Sequence, residues 1–192
     1  MDNVSIQRSA ANLLARAGRL YDAPDSSLRA AATAMPWPGF AAGADWMSLA
    51  LAIIRYQSPA PHTGHNFELL GFIKYGLSSG VAILWVWICM LLEWPFLGWL
   101  AVVIFYVVEA QMVFLFPLAL DGSIRPFRDA RRWTVEAGGT WTVMRVVLPL
   151  AGAMVFGGFA GRGFVRSWCL GCLAVCLWYE DLRAADAVES PP

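Results

Sequence analysis

The sequence predicts an all-α integral membrane protein, a four-helix bundle built from two helical hairpins. Hydrophobic residues make up 58% of the chain and charged residues 15%, whereas soluble domains average roughly 45–50% and 25%. An uncharged run covers residues 75–92, and a second run covers 95–120 with Glu109 as its one charged residue. As helices these runs measure ~27 Å and ~39 Å, so each is long enough to cross a hydrocarbon core of about 30 Å.

The hairpins are predicted from the breaks between apolar runs. Pro95 directly follows Glu93-Trp94, and proline is accepted in the first turn of a helix but not inside one. The third and fourth apolar runs are separated by Gly161-Arg162-Gly163, which is typical of a turn. The predicted spans are therefore about 75–93, 95–120, 141–161 and 163–179. A re-entrant pair formed by the third and fourth runs is the alternative.

Residues 1–74 are predicted to form a cytoplasmic or interfacial helical region. The first 35 residues contain three aspartates and no apolar run after the first arginine, a pattern that does not fit a signal or transit peptide. Amphipathic helices are expected over 5–21 and 28–35. An apolar helix is expected over 41–54, but at ~21 Å it is too short to cross the membrane.

Charge placement predicts the orientation. With four crossings, the region 1–74, the basic loop 121–140 and the tail 180–192 lie on one side of the membrane. With Arg145 at the membrane edge of the loop, that side holds every basic residue except Arg162 and Arg166. The positive-inside rule therefore puts both termini in the cytoplasm, with the protein in the cell (inner) membrane.

Small residues recur every four positions in three of the predicted spans, and small residues let membrane helices approach closely. We expect the third and fourth spans to pack along these stripes. The residues predicted to pack helices are Gly76, Gly80, Ala153, Gly157, Gly161, Gly163, Ser167 and Gly171.

Glu109 is the principal candidate for a functional residue. It lies near the middle of its apolar run, where a charged side chain costs about 2.5–3.5 kcal/mol on insertion scales. Arg145 and Arg166 are the nearest basic residues by depth, but each is displaced by roughly 10 Å. We therefore expect a protonated Glu109 that is hydrogen-bonded inside the bundle, either as a proton or substrate site or as a structural polar contact.

The four cysteines are interpreted as small apolar packing residues. Cys169, Cys172 and Cys176 share one face of the fourth span, and Cys89 lies in the first. Zinc sites usually take paired ligands from loops that converge, and no second pair is present here. No metal site is predicted.

His62 and His65 are the weak candidates for metal ligands, with Glu68 close by in sequence. They lie in a proline-flanked loop, which is a poor preformed cage for a metal ion. We therefore interpret them as solvated loop residues.

The Cys169-Leu170-Gly171-Cys172 segment is similar in placement to the redox pair of vitamin K epoxide reductase-like proteins. The resemblance covers these four residues and the number of helices. It implies thiol chemistry at Cys169 and Cys172 that passes electrons to a quinone. The chain departs from that family in its outer loop, Glu93-Trp94-Pro95, which lacks the additional cysteines.

Four arginines follow the second span in the basic loop. They are Arg125, Arg128, Arg131 and Arg132. Arginines at this depth attract anionic lipid head groups, each contributing ~1 kcal/mol near the surface. Orientation alone also calls for basic residues at this position, and we take that as the simpler explanation.

The leading functional hypothesis is a non-enzymatic accessory or assembly subunit of a membrane complex. Its partner is another membrane protein or a second copy of the chain. The alternatives are a membrane-embedded enzyme that acts on a lipid or quinone, and a small proton-coupled transporter that uses Glu109. The 14 basic and 14 acidic residues are balanced, without a basic stripe, which argues against nucleic-acid binding. The sequence identifies no cofactor.

Overall fold

The computed structural model describes residues 9–24, 26–35, 39–58 and 64–189, and these residues form helices with no strand. The helices are α1 (Ala10–Tyr21), α2 (Ser27–Ala34), α3 (Phe40–Ile54), α4 (Phe67–Leu91), α5 (Leu100–Gln111), α6 (Leu115–Leu120), α7 (Pro126–Glu136), α8 (Gly139–Gly157) and α9 (Phe164–Glu189). The predicted all-α class is confirmed.

Three helical segments in the described part of the chain are long and apolar enough to cross a membrane. They are Phe67–Leu91, Pro95–Leu120 and Gly139–Gly161. The fourth predicted span, 163–179, is not among them. It is the first part of α9, whose later residues include Glu180, Asp181 and Arg183. Membrane-capable helices are therefore present, and a bundle of four membrane helices is not confirmed.

The chain forms two compact units. The first is Met1–Pro36, Trp46–Pro59 and Leu148–Pro192, and the second is Trp37–Asp45 and Ala60–Val147. Each unit joins an N-terminal segment to helices from later in the chain.

In the first unit, α1 packs along α9. Ser9 caps α1 by accepting a hydrogen bond from the Asn12 backbone N–H, and its buried residues, Ala10, Leu13, Ala17 and Tyr21, recur at helical spacing. The Arg16 guanidinium donates two hydrogen bonds to the Asp181 carboxylate, at 2.6 and 3.1 Å. At the other end of the contact, Asp22 pairs with Arg166. The two helices are therefore antiparallel.

Other contacts complete the first unit. The Trp46 indole N–H donates to the carbonyl of buried Leu28 at 3.1 Å, and Arg55 pairs with Glu180. The end of α8 lies so close to the start of α9 that a Cβ on Gly157 would lie 2.7 Å from the Ser167 hydroxyl. This unit thus buries the middle of α9 under other helices of the same chain.

In the second unit, α4 and α5 form the predicted hairpin. Its tip is a left-handed residue, Glu93 (φ 56°), followed by a short helical turn, Pro95–Leu97. The Trp85 indole N–H donates to the Leu97 carbonyl at 3.1 Å, which fastens α4 to the tip.

The run 95–120, expected as one helix, is interrupted in the structure. α5 ends at Gln111, Met112 has φ −122°, and the chain resumes as α6. α6 is buried. The Thr134 hydroxyl of α7 donates to the Ala110 carbonyl at 3.0 Å, so α7 is held against the end of α5.

We predict that Leu13→Ala separates α1 from α9. Leu13 is 1% exposed, and removing a buried leucine side chain costs about 2–5 kcal/mol. Thermal unfolding in detergent, followed by circular dichroism, should show a lower midpoint. The neighbouring Leu14 is only partly buried, so Leu14→Ala is the matched control and should have a smaller effect. Equal losses would contradict the α1–α9 packing.

Candidate functional site

Glu109 is paired with Lys74 in the structure. Lys74 Nζ lies 2.8 Å from Glu109 Oε1, and the two side chains are 6% and 11% exposed. The sequence indicated Arg145 and Arg166 as the basic residues nearest to Glu109 in depth. Lys74, which directly precedes the first apolar run, neutralises the carboxylate instead.

Aromatic side chains surround the ammonium group of Lys74. Its Nζ lies 5.2 Å from the centre of the Tyr75 ring and 5.6 Å from that of Phe116. Phe40 stacks on both of these rings, at centroid distances of 5.4 and 6.4 Å. Cation–π attraction in a desolvated setting adds to the ion pair. Aromatic rings instead of water therefore surround the positive charge of Lys74.

The pair lies near one end of the α4–α5 hairpin. Because α5 stops at Gln111, Glu109 is only ~3 Å along the axis from the end of its helix. Lys74 precedes the last residue of α4, Leu91, by ~25 Å along that helix. The ion pair therefore sits far from the tip, and Glu109 does not lie in the middle of a continuous helix.

One oxygen of this carboxylate has no hydrogen-bond partner. Glu109 Oε2 is buried and accepts no hydrogen bond from the described residues. Leaving a buried acceptor unsatisfied costs about 1–3 kcal/mol. The pair therefore leaves one carboxylate oxygen buried without a hydrogen bond from the described residues.

The cysteines are not arranged as an accessible redox pair. All four are thiols and not half of a disulfide, and Cys169 and Cys176 are buried in α9. Burial raises the pKa of the Cys169 thiol to about 12. Redox-active and nucleophilic thiols have lowered pKa values, because the thiolate is the reactive form. The Cys169 environment thus favours the packing interpretation over quinone-linked chemistry.

The histidine loop is only partly described. His62 lies outside the described residues. His65 Nε2 is 2.8 Å from the Ser123 carbonyl, and the Glu68 carboxylate accepts a hydrogen bond from the Ala41 backbone N–H at 2.9 Å. The described residues contain no group of three or more potential ligands that could hold a metal ion.

The residues predicted to pack helices fall into different environments. Gly157, Ser167 and Gly171 lie between α8 and α9, where a Cβ on Gly171 would collide with the Met154 side chain. Ala153, also on α8, is partly buried. Gly161 and Gly163 have positive φ values, 78° and 82°, in the turn between these helices, a conformation that glycine adopts readily.

The α4 glycines differ from these. A Cβ built on Gly76 or Gly80 would meet no atom within 4 Å. These two glycines therefore face open space in the isolated chain.

The four loop arginines are exposed on or beside α7. Arg125, Arg128 and Arg132 line a cleft of about 500 Å³ together with Ile124 and Asp129. Arg131 is exposed on the same helix and does not line the cleft. The structure thus brings together three of the four predicted anion-binding residues.

In the described part of the chain, these features define an all-helical protein with three helices able to cross a membrane and a buried lysine–glutamate pair. Comparison with models of known families, with curated proteins and with solved structures finds no match.

We predict that Glu109→Gln destabilises the hairpin, because it removes the carboxylate that pairs with the buried Lys74 ammonium. Removing one partner of a buried pair costs about 3–5 kcal/mol. The double variant Lys74→Met, Glu109→Gln should recover most of this loss. The measurement is a double-mutant cycle on the free energy of unfolding in detergent micelles.

The exposed pair of Arg132 and Glu136 on α7 supplies the control. Glu136→Gln should cost no more than about 0.5 kcal/mol. Additive effects of Lys74→Met and Glu109→Gln would show that the two side chains are not coupled.

Proposed function

We propose that the chain is a non-enzymatic accessory or assembly subunit of a membrane complex. In this proposal the α4–α5 hairpin anchors it in the cell (inner) membrane. The exposed face of α4 docks another membrane protein.

The open glycine face of α4 is the observation that carries this proposal. The buried residues of α4 include Leu70, Lys74 and Ser78, and at 100° per residue Gly76 and Gly80 fall on the opposite side of the helix. A Cβ added at either glycine would meet no atom of another helix within 4 Å. The close-packing surface of α4 is therefore unused within the protein.

Large side chains flank the glycines along this face. Phe72 lies one turn before Gly76, and Ile83 and Trp87 lie one and two turns after Gly80, all of them exposed. Glycines between large residues create a shallow groove. Because lipid tails are as apolar as leucine, membrane helices gain from such grooves through close backbone contact. A partner helix fits this groove better than flexible acyl chains do.

The packing of α1 against α9 supports a topology with both termini on the same side. Helices in contact cannot lie on opposite faces of a bilayer, so the chain between α1 and α9 crosses an even number of times. We assign the two crossings to α4 and α5. In this assignment α8 does not cross the membrane, and both of its ends lie on the side of the termini. The positive-inside rule makes that side cytoplasmic.

A proton-coupled transporter is the second candidate, and the unpartnered Glu109 Oε2 favours it. Such a transporter requires the carboxylate to leave Lys74 and take up a proton during each cycle. Proton flux into liposomes that depends on the wild-type pair, and that Lys74→Met, Glu109→Gln abolishes, would support it. The accessory proposal expects the same background flux from both proteins.

We predict that Gly76→Leu, Gly80→Leu releases the partner while leaving the fold intact. An added Cβ at either position meets no atom of the chain within 4 Å, so the new side chains have open space to occupy and fill the groove. Quantitative mass spectrometry of proteins purified with the chain in mild detergent would measure the partner. The partner should fall by at least about tenfold, which corresponds to 1.4 kcal/mol.

Gly152 of α8 provides the matched control. It is also a glycine on a membrane-capable helix, and its nearest neighbour beyond an added Cβ is the Phe156 ring at 4.0 Å. Gly152→Leu should retain the partner. Retention of the partner by the α4 double variant, with an unchanged unfolding midpoint, would contradict the proposal.

A further inference from the structure

α7 presents its arginines on the side that faces away from the protein. Its buried residues, Pro126, Ala130 and Thr134, recur every four positions and form the stripe that packs inward. At 100° per residue, Arg128 and Arg132 fall on the opposite side of the helix. Arg125 immediately precedes the helix and lies on that same side.

The cleft between these arginines carries net positive charge. The side chains of Arg125 and Arg128 have no carboxylate within 4 Å in the described part of the chain, whereas Arg132 pairs with Glu136 at 2.7 Å. Asp129 is the acidic residue of the cleft, and its Oδ2 accepts a hydrogen bond from the Ser123 hydroxyl at 2.5 Å. Two guanidinium groups without an ion pair therefore line a cleft of about 500 Å³ in which arginines outnumber carboxylates.

Apolar side chains at the cleft, on α7 and shortly after α7 in sequence are exposed as well. Ile124, which lines the cleft, is 90% exposed, and Val135 and Trp141 are also exposed. An exposed isoleucine is unfavourable in water but suits the boundary between head groups and acyl chains. Tryptophan is enriched at the same level of a bilayer. Arginine and apolar side chains on one surface are the pattern of a segment that rests on a membrane.

We propose that the α7 arginine cleft binds the phosphate of an anionic phospholipid. Arg125 and Arg128 donate hydrogen bonds to the phosphate oxygens, because a guanidinium group matches that geometry with two parallel N–H groups. Arg132 adds charge at the far side, and Ile124 inserts among the acyl chains. Arg131 contributes only long-range attraction. This lipid site goes beyond the partner-docking function and does not depend on it.

The test compares lipid binding by three forms of the full-length protein in detergent micelles. Native mass spectrometry would measure binding of dioleoylphosphatidylglycerol, with dioleoylphosphatidylcholine as the zwitterionic reference. The first variant is Arg125→Gln, Arg128→Gln, Arg132→Gln. The matched variant removes the same charge from exposed arginines elsewhere, as Arg19→Gln, Arg29→Gln, Arg183→Gln.

We expect the wild type and the matched variant to bind phosphatidylglycerol equally well and to prefer it to phosphatidylcholine. Affinity of the cleft variant should fall by at least about tenfold. Equal losses in both variants would attribute binding to overall charge and overturn the proposal. So would complete competition by millimolar inorganic phosphate, since that outcome makes the site one for free phosphate instead of lipid.

Discussion

The contact between α1 and α9 constrains the topology of the whole chain. Leu13 is buried in this contact, and ion pairs of Arg16 with Asp181 and of Asp22 with Arg166 mark its two ends. α1 also exposes Asn12 and Arg19 on its other side, as a helix in water does. In the proposed topology, the chain between these two helices therefore crosses the membrane an even number of times.

The ion pair between Lys74 and Glu109 allows two charged side chains to be buried in an apolar hairpin. Either charge alone would be costly in hydrocarbon. Together they are neutral, and the Tyr75 and Phe116 rings shield the ammonium group. They lie near the end of α5, and a charged side chain costs less near the end of a membrane helix than at its centre. The pairing of Glu109 with Lys74 holds α5 against α4. In the proposed function, the glycine face of α4 remains available to a partner.

Local sequence signals predicted most helices because short-range chemistry determines them. Ser26 caps α2, so the predicted helix 28–35 is observed as Ser27–Ala34. The helix predicted over 41–54 is observed as Phe40–Ile54. The interruption at Met112 was missed although Pro117 marks it, because a proline removes the hydrogen bond to the carbonyl four residues earlier and its ring clashes with that carbonyl. The α1–α9 contact and the pairing of Lys74 with Glu109 depend on tertiary packing, which local sequence does not determine. The position of Lys74 directly before an uncharged run could still have indicated it as the partner of Glu109.

Labelling single cysteines in intact cells or spheroplasts tests the proposed topology most directly. In a variant without the four native cysteines, Phe96→Cys marks the hairpin tip, Ala160→Cys marks the α8–α9 turn, and Val188→Cys marks the end of α9. All three positions are exposed. With two crossings, a membrane-impermeant maleimide added outside labels only Phe96→Cys. Labelling of Ala160→Cys or Val188→Cys from outside would contradict the account.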